Sequence, residues 1–369
     1  MRTQIAIFVA IVQSILLFGH FAIYETWIEL WGAPDPRAAL WLRIVFAILS
    51  VSFIAASLLG FRYSNAAVRA FYRVAAGWLG FMGFLFFASG LCWIVYGAAW
   101  VVGWRGEGRA IVATLCGAAI LTGVYGIVNA ARTRVKRFAV KLANLPESWR
   151  GRTAVVVSDT HLGHVRSFRF ARKIVAMVSQ LRPDVVFIAG DLYDGGAADL
   201  VGLAKPFSEL SAPLGVFFVA GNHEEFTDRA KYLDAVVRAG VRVLNNEKAI
   251  VDGMQIVGVP YHATVNSEAF SSALAKADID RNRASILLSH APHRLEIPES
   301  AGISLQLSGH THHGQMIPFT WIVDRIFGPF AYGLHRFGNM MVYTSCGAGT
   351  WGPPMRVGPD PEIVVLRFE

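Results

Sequence analysis

The sequence predicts a two-part protein: an N-terminal α-helical transmembrane domain of four helices, followed by a layered α/β domain. Two observations carry this. Four long apolar runs fill the first 131 positions, and short β-branched runs alternating with helical ones fill the region after Trp149. Composition agrees. A mean hydropathy of +0.43 with only 16% charged residues is too apolar for an ordinary soluble enzyme, and 369 residues give room for two domains.

The apolar runs extend from Gln4 to about Trp31, Leu40 to about Phe61, Phe71 to Trp104 and Ala110 to Ala130. Each exceeds the roughly 20 residues that cross a bilayer core as helix. The first is read as a retained helix rather than a secretory signal, because only Arg2 precedes it and no small-x-small cleavage site follows. His20, Glu25 and Glu29 suggest a polar pathway, but the other runs do not repeat that chemistry, which argues against a transporter. Gly77, Gly80, Gly83, Ala88, Ser89 and Gly90 are expected to mark helix–helix contacts.

Charge sets the orientation. Arg2, Arg62, Arg69 and Arg73 fall on the same side as the tail Arg132, Arg134, Lys136, Arg137 and Lys141. The opposite side mixes Arg37, Arg105 and Arg109 with Glu25, Glu29, Asp35 and Glu107. The positive-inside rule then places both termini in the cytoplasm. Residues 132–149 read as a basic juxtamembrane linker, suited to anionic headgroups or serving only as a topology signal. The net charge of +8 lies in these regions: +4 over residues 1–131, +5 over 132–141 and −1 over the rest. A nucleic-acid-binding protein would carry its basic stripe on the working domain, so no nucleic acid is expected as partner. Three cysteines, Cys92, Cys116 and Cys346, cannot form a disulfide framework and fit a reducing compartment.

After position 150, five apolar strands each deliver polar residues into a loop. Val155–Val157 runs into Ser158, Asp159, Thr160 and His161; Val185–Ala189 runs into Gly190, Asp191 and then Asp194; Gly215–Ala220 runs into Gly221, Asn222, His223 and Glu224. Ser285–Ser289 ends at His290, and Leu305–Ser308 ends at Gly309, His310, Thr311 and His312. Between them lie helical stretches such as Phe168–Leu181 and Ala230–Ala239, while Met254–Val259, Met340–Thr344 and Glu362–Phe368 add strands. Carboxylate oxygens and imidazole nitrogens repeated at strand ends are what a divalent-metal site requires.

That series of motifs resembles the calcineurin-like metallophosphoesterases across roughly residues 150–369. Gly309-His310-Thr311-His312 followed by Gly314-Gln315, and the closing Ser345–Thr350, are similar to the membrane-associated bacterial branch typified by YaeI and YkuE. The resemblance implies an α/β/β/α sandwich over 150–369, with one metal held by Asp159, His161, Asp191 and His312. It implies a second metal held by Asp191, Asn222, His290 and His310, so that Asp191 bridges. Two such cations clamp the attacking and departing oxygens of a phosphoryl displacement and acidify a shared water, giving hydroxide near neutral pH. The mixed N/O set suits Mn, Fe, Zn or Co, with Mn favoured and no thiolate to single out Zn. His223, without a metal in this scheme, is expected as the general acid, its ring held by Glu224 or a nearby acid, while Asp194 supports the Gly190–Gly195 loop. His164, His262 and His293 receive no role, and His313, standing where that branch carries Gly, either touches substrate or occupies the rim.

Two departures narrow the activity. Gly195 and Gly196 stand where the Ser/Thr phosphatases of the family carry a phosphate-gripping Arg, and Asp194 stands where the purple acid phosphatases need a Tyr, with Tyr193 one residue early. A diester bears one charge fewer and needs less guanidinium help, so phosphodiesterase is the favoured activity. Met316–Phe330 is too short and too broken by proline to span a bilayer; it is either core cover or an apolar rim beside the metals that meets lipid. The expected enzyme is a membrane-anchored phosphoesterase of a bacterial inner membrane, its catalytic domain cytoplasmic, cleaving a phosphodiester or pyrophosphate, lipid-linked in one reading. The alternative is a membrane sensor or scaffold with a degenerate phosphoesterase domain.

Overall fold

The computed structural model describes residues 2–104, 106–196, 198–225 and 228–369, without the side chains of residues 2–5. Arg105 and the side chain of Arg2, both used above for orientation, lie outside the described residues. The chain forms two compact units, residues 1–128 with 352–355, and residues 129–351 with 356–369.

The first unit holds helices α1 (Arg2–Thr26), extended by a π-turn over Trp27–Trp31, α2 (Pro36–Arg62), α3 (Ala66–Val101) and α4 (Arg109–Ala130). Among the described residues these four are long and apolar enough to cross a membrane. Their starts follow local chemistry. Asp35 accepts from the backbone N–H of Arg37 at 3.0 Å and of Ala38 at 3.2 Å, with Pro36 in the first turn, and Asn65 caps α3 through Val68 N–H at 3.0 Å. Polar side chains inside the unit bond to one another: Trp78 donates to His20 Nε2 at 2.8 Å, Trp93 to Thr26 at 2.9 Å, and Arg43 to the Tyr24 hydroxyl at 2.8 Å. His20 is thereby a satisfied packing residue, its Nδ1 donating to Leu16 O at 2.7 Å. Of the small residues expected at helix contacts, Gly80, Ala88 and Ser89 are buried. Gly90 is exposed, and a Cβ at Gly77, Gly83 or Gly90 would meet no atom within 4 Å.

Among the described residues the second unit holds twelve strands. β1 (Arg134–Val140), β2 (Thr153–Val157), β3 (Val185–Ile188), β4 (Val216–Phe218) and β5 (Arg242–Val243) belong to one sheet. β6 (Glu247–Val251), β7 (Met254–Val259), β8 (Ser285–Ser289), β9 (Leu305–Ser308), β10 (Gly333–Phe337) and β11 (Met340–Thr344) form the other. The final strand β12 (Glu362–Phe368) inserts between β1 and β2, giving orders β1-β12-β2-β3-β4-β5 and β10-β11-β9-β8-β7-β6.

Strand alternation explains the layering. Ala154 and Val156 of β2, Phe187 of β3, and Val364 and Leu366 of β12 turn into a core shared with Ile256, Ile286, Leu288 and Leu307 of the opposite sheet. Val155, Val157, Val186 and Ile188 turn outward under the helices Phe168–Gln180 and Arg229–Arg238. On the far side Val257, Leu287 and Val342 pack under Phe270 and Leu274 of the helix Ser267–Ala277. Each fully buried Val, Leu or Phe contributes about 1.5–3 kcal/mol, so both faces of both sheets are needed and the α/β/β/α order follows.

One segment departs from expectation. Within residues 132–149, read as a basic juxtamembrane linker, Arg134–Val140 is an outer strand paired in parallel with β12, in register Arg134↔Glu362 to Val140↔Phe368. Two of its cations serve protein partners: Arg134 pairs with Asp360, and Lys136 lies 3.4 Å from Glu362. Glu362 is fully buried and also accepts from Tyr343 at 2.8 Å, Tyr332 at 2.9 Å and Ser345 at 3.1 Å. A buried carboxylate needs hydrogen-bond donors for its oxygens, and this one ties β1 and β11 to the loop after β11.

Candidate metal centre

Every candidate ligand lies in a loop at the C-terminal end of a parallel strand. Asp159 and His161 follow β2, Asp191 follows β3, Asn222 and His223 follow β4, His290 follows β8, and His310 and His312 follow β9. The loops leave their strands abruptly. Asp159, His161, Asp191, His310 and His312 all adopt left-handed backbone, with φ of 51°, 47°, 50°, 71° and 47°. Non-glycine residues seldom do so, and such strain gathers where tertiary contacts over-determine a functional site. Gly190, at φ 88°, passes so near His290 that a Cβ would strike its Nδ1.

Hydrogen bonds sew the loops together. Asp159 N–H donates to Gly190 O and His161 N–H to Asp191 O, both at 3.1 Å. His310 N–H lies 3.1 Å from each carboxylate oxygen of Asp159, and the Ser158 hydroxyl donates to the same carboxylate. His290 Nδ1 donates to Ala189 O at 2.7 Å, which fixes its tautomer and turns Nε2 inward. Glu224, fully buried, accepts from Asp191 N–H at 3.0 Å, Tyr193 N–H at 3.0 Å and Gly221 N–H at 2.8 Å. Orphaning a buried N–H costs about 1–3 kcal/mol, so this one carboxylate holds two ligand loops by several kcal/mol. Of the two holders expected for the His223 ring, Glu224 or a nearby acid, Glu224 is thereby committed to backbone. Instead, His223 Nδ1 donates to the backbone carbonyl of Asp194 at 3.1 Å.

The side chains converge. Asp191 Oδ2 lies 3.1 Å from His290 Nε2, 3.8 Å from His161 Nε2 and 3.9 Å from His223 Nε2. Asp159 Oδ1 lies 3.5 Å from His312 Nε2 and 3.9 Å from both His161 Nε2 and His290 Nε2. His310 Nδ1 stands 2.9 Å from Asn222 Oδ1. Donor atoms of Asp159, His161 and His312 fall within 4.8 Å of one another, as do those of Asp191, His290 and His310. All seven expected ligands thus meet in one place, with Asp191 in the middle. A third group, His161, Asp194 and His223, adjoins them.

The charges of the centre act strongly on one another. Burial alone would lower His290, but Asp191 and Asp159 outweigh it and raise it to about 10. Burial would raise Asp191, yet its histidine neighbours, His290 first, hold it well below the usual carboxylate range. His310 is pushed down to about 3 by burial and by the charge on His290. Asp194 is pushed up to about 7 by burial, and Glu224 up to about 8 by burial and Asp191. Asp191, its charge held by these rings, thus draws positive charge onto His290, while burial raises Asp159 and lowers His161, His223, His310 and His312. His161 Nε2 and His312 Nε2 face each other at 2.9 Å, and the buried His290 Nε2 has no aligned hydrogen-bond partner. Neutral imidazoles turned towards clustered carboxylates are a donor set that fits divalent metal, with ligand protons leaving as metal enters.

Several neighbours were not legible beforehand. Arg356 is completely buried and spends its guanidinium on backbone carbonyls, those of His312 at 3.0 Å, Cys346 at 2.6 Å and Gly349 at 2.7 Å. An arginine between Met355 and Val357 in a Gly/Pro-rich loop was the only hint. Tyr261 and His293 stand beside His310, with ring centroids 5.2 and 5.8 Å away, and Phe327 lies 5.5 Å from His293. Trp351 closes the other side, 5.9 Å from His223. Tyr193 turns away from the centre: its hydroxyl donates to Leu200 O at 3.1 Å and its ring packs on Tyr232 at 5.3 Å. His313 also sits outside the cluster, its Nε2 3.0 Å from Asp324.

Comparison with known proteins places the chain. A family model described as calcineurin-like phosphoesterase matches residues 152–314. A zebrafish "Transmembrane protein with metallophosphoesterase domain" is 35% identical over 286 residues, covering 71% of this chain but 64% of that protein, just under two thirds of its length. The Bos taurus protein of the same name is 30% identical over 403 residues, covering all of this chain and 89% of its own. The metallophosphoesterase YkuE of Bacillus subtilis is 25% identical over 62% of this chain and 83% of its own. The full-length match to the bovine protein, and the strand-end motif folded into one buried centre, show that the chain belongs to the calcineurin-like metallophosphoesterases, here preceded by four membrane-spanning-type helices.

Proposed function

We propose that this chain is a membrane-anchored, metal-dependent phosphodiesterase acting at the cytoplasmic face of a bacterial inner membrane. Its substrate is a phosphodiester or pyrophosphate, and a lipid-linked one suits the aromatic walls of the centre. Residues 1–131 anchor, 132–149 carry the basic juxtamembrane charge, and 150–369 catalyse, with β1 belonging to the sheet. The observation that carries the reading is the shared position of Asp191, within 4 Å of three imidazole nitrogens.

Asp159, His161, Asp191 and His312 would hold one divalent cation, and Asp191, Asn222, His290 and His310 a second, with Mn favoured. When bound, such a pair supplies Lewis acidity to the phosphoryl oxygens and acidifies water. The remaining work falls to the chain itself. Asp194 O anchors His223 Nδ1, so Nε2 faces the centre; there the ring takes up a proton, becoming imidazolium, and passes it to the leaving-group oxygen. Tyr261, His293 and Trp351 wall the site and exclude water. Arg356 is committed to carbonyls, and Arg166 to Thr350 and Ala130 O, so neither is spare to grip a dianion. That supports a singly charged diester. Purified in detergent with Mn²⁺, the protein is expected to hydrolyse bis-p-nitrophenyl phosphate faster, by kcat/KM, than p-nitrophenyl phosphate. A preference for the monoester would replace phosphodiesterase with phosphatase.

A further inference from the structure

We propose that the helix Phe319–Phe327 lies in a membrane–water interface, its apolar face covered by lipid. The helix shows one apolar face to solvent. Trp321, Ile322 and Ile326 are 70%, 54% and 67% exposed, with Phe319 and Ile317 at its start each 43% exposed. Its inner side is held by buried Thr320 and half-buried Val323 and Phe327, while the exposed Asp324 pairs with His313. Single exposed apolar residues are ordinary, but five on one short segment form a patch that water does not favour and a partner covers.

The route by which the helix is fixed names that partner. α4 ends at Ala130 and β1 begins at Arg134. The Lys136 ammonium donates to the Tyr332 hydroxyl and lies 4.8 Å from the centre of that ring. Tyr332 stacks on His313 at 5.1 Å with the planes 13° apart, and His313 Nε2 reaches Asp324 of the helix at 3.0 Å. Three side-chain contacts therefore join the helix to the strand that leaves the last membrane-spanning segment. The six residues from Ala130 to Lys136 reach no further than about 20 Å even when extended, so Lys136 stays within that reach of the end of α4. The composition fits its boundary: Trp321 is the residue type of interfacial belts, and exposed Arg325 can meet lipid phosphate. This also gives His313 a task, that of fixing the helix. At the other end, Phe327 lies 5.5 Å from His293 and 6.5 Å from the candidate ligand His310, so one short helix joins the lipid boundary to the wall of the centre.

The test uses the full chain in nanodiscs of phosphatidylethanolamine and phosphatidylglycerol. Nitroxide labels are placed on Trp321→Cys, Ile326→Cys and, as a water-exposed reference, Val237→Cys. The native Cys92, Cys116 and Cys346 are buried, and the unsubstituted chain supplies the labelling background. Labels at 321 and 326 are expected to collide with oxygen several-fold more, and with nickel ethylenediamine diacetate several-fold less, than the label at 237. Equal accessibility at all three positions would overturn the proposal. Protection accompanied by spin–spin broadening between chains would overturn it too, by showing that a second copy covers the patch. Because this reading needs no turnover, it stands or falls separately from the hydrolase activity.

Discussion

Stripping the purified protein of divalent metal is expected to abolish hydrolysis of bis-p-nitrophenyl phosphate, and returning Mn²⁺ to restore it. The reason lies in how little else in the centre can bear charge. Asp159 and Asp191 are completely or almost completely buried, and no lysine or arginine is paired with either among the described residues. Without metal, Asp191 is answered by a proton on His290, and an imidazolium is only a hydrogen-bond donor towards a phosphoryl oxygen, not a Lewis acid. Divalent cations supply several kcal/mol of transition-state stabilisation, and each 1.4 kcal/mol is tenfold, so a loss on the order of 10³-fold or more is expected. Rates are followed by p-nitrophenolate release during titration with Mn²⁺, Zn²⁺ or Co²⁺. Full activity after exhaustive chelation would contradict the proposed chemistry.

His223→Ala is expected to lower kcat by about 10²–10⁴-fold, the range in which a positioned general acid contributes, while metal content stays that of the parent protein. The geometry separates the two effects. His223 Nε2 lies 3.9 Å from Asp191 Oδ2, at the edge of the cluster, and its ring packs edge-on against His161 with centroids 4.5 Å apart. The backbone N–H of His223, not its ring, donates to Asp191 Oδ1 at 3.0 Å, a contact that alanine retains. An aryl leaving group of low pKa needs less protonation than an alkyl one, so the deficit should be smaller with p-nitrophenol as leaving group than with an alkyl alcohol. If both metals were lost with the ring, His223 would be a ligand rather than a proton donor.

The strand ends could be read from sequence because their chemistry is local. A run such as Val155–Val157 must be buried on both faces, and the Asp and His that follow fall in its loop whatever the rest of the chain does. The helix expected over Phe168–Leu181 spans Phe168–Gln180, and that expected over Ala230–Ala239 spans Arg229–Arg238, for the same reason. Features decided by distant partners could not be read. Arg134–Val140 alternates charge with apolar residues and looks like a headgroup-binding tail until Glu362 and Asp360 arrive from the far end of the chain. Glu224 looked like a partner for the adjacent His223, yet three backbone N–H groups from two loops claim it. Arg356 meets His312 only through folding, and nothing near either residue announces the contact.

The central claim is that seven side chains hold two cations around one shared carboxylate. Metal content by inductively coupled plasma mass spectrometry, after Mn²⁺ loading and removal of free ion, tests it most directly. The parent chain is expected to retain close to two Mn per polypeptide, and Asp191→Ala, folded by circular dichroism, to lose both together. Retention of two metals by Asp191→Ala, or of none by the parent chain, would contradict it.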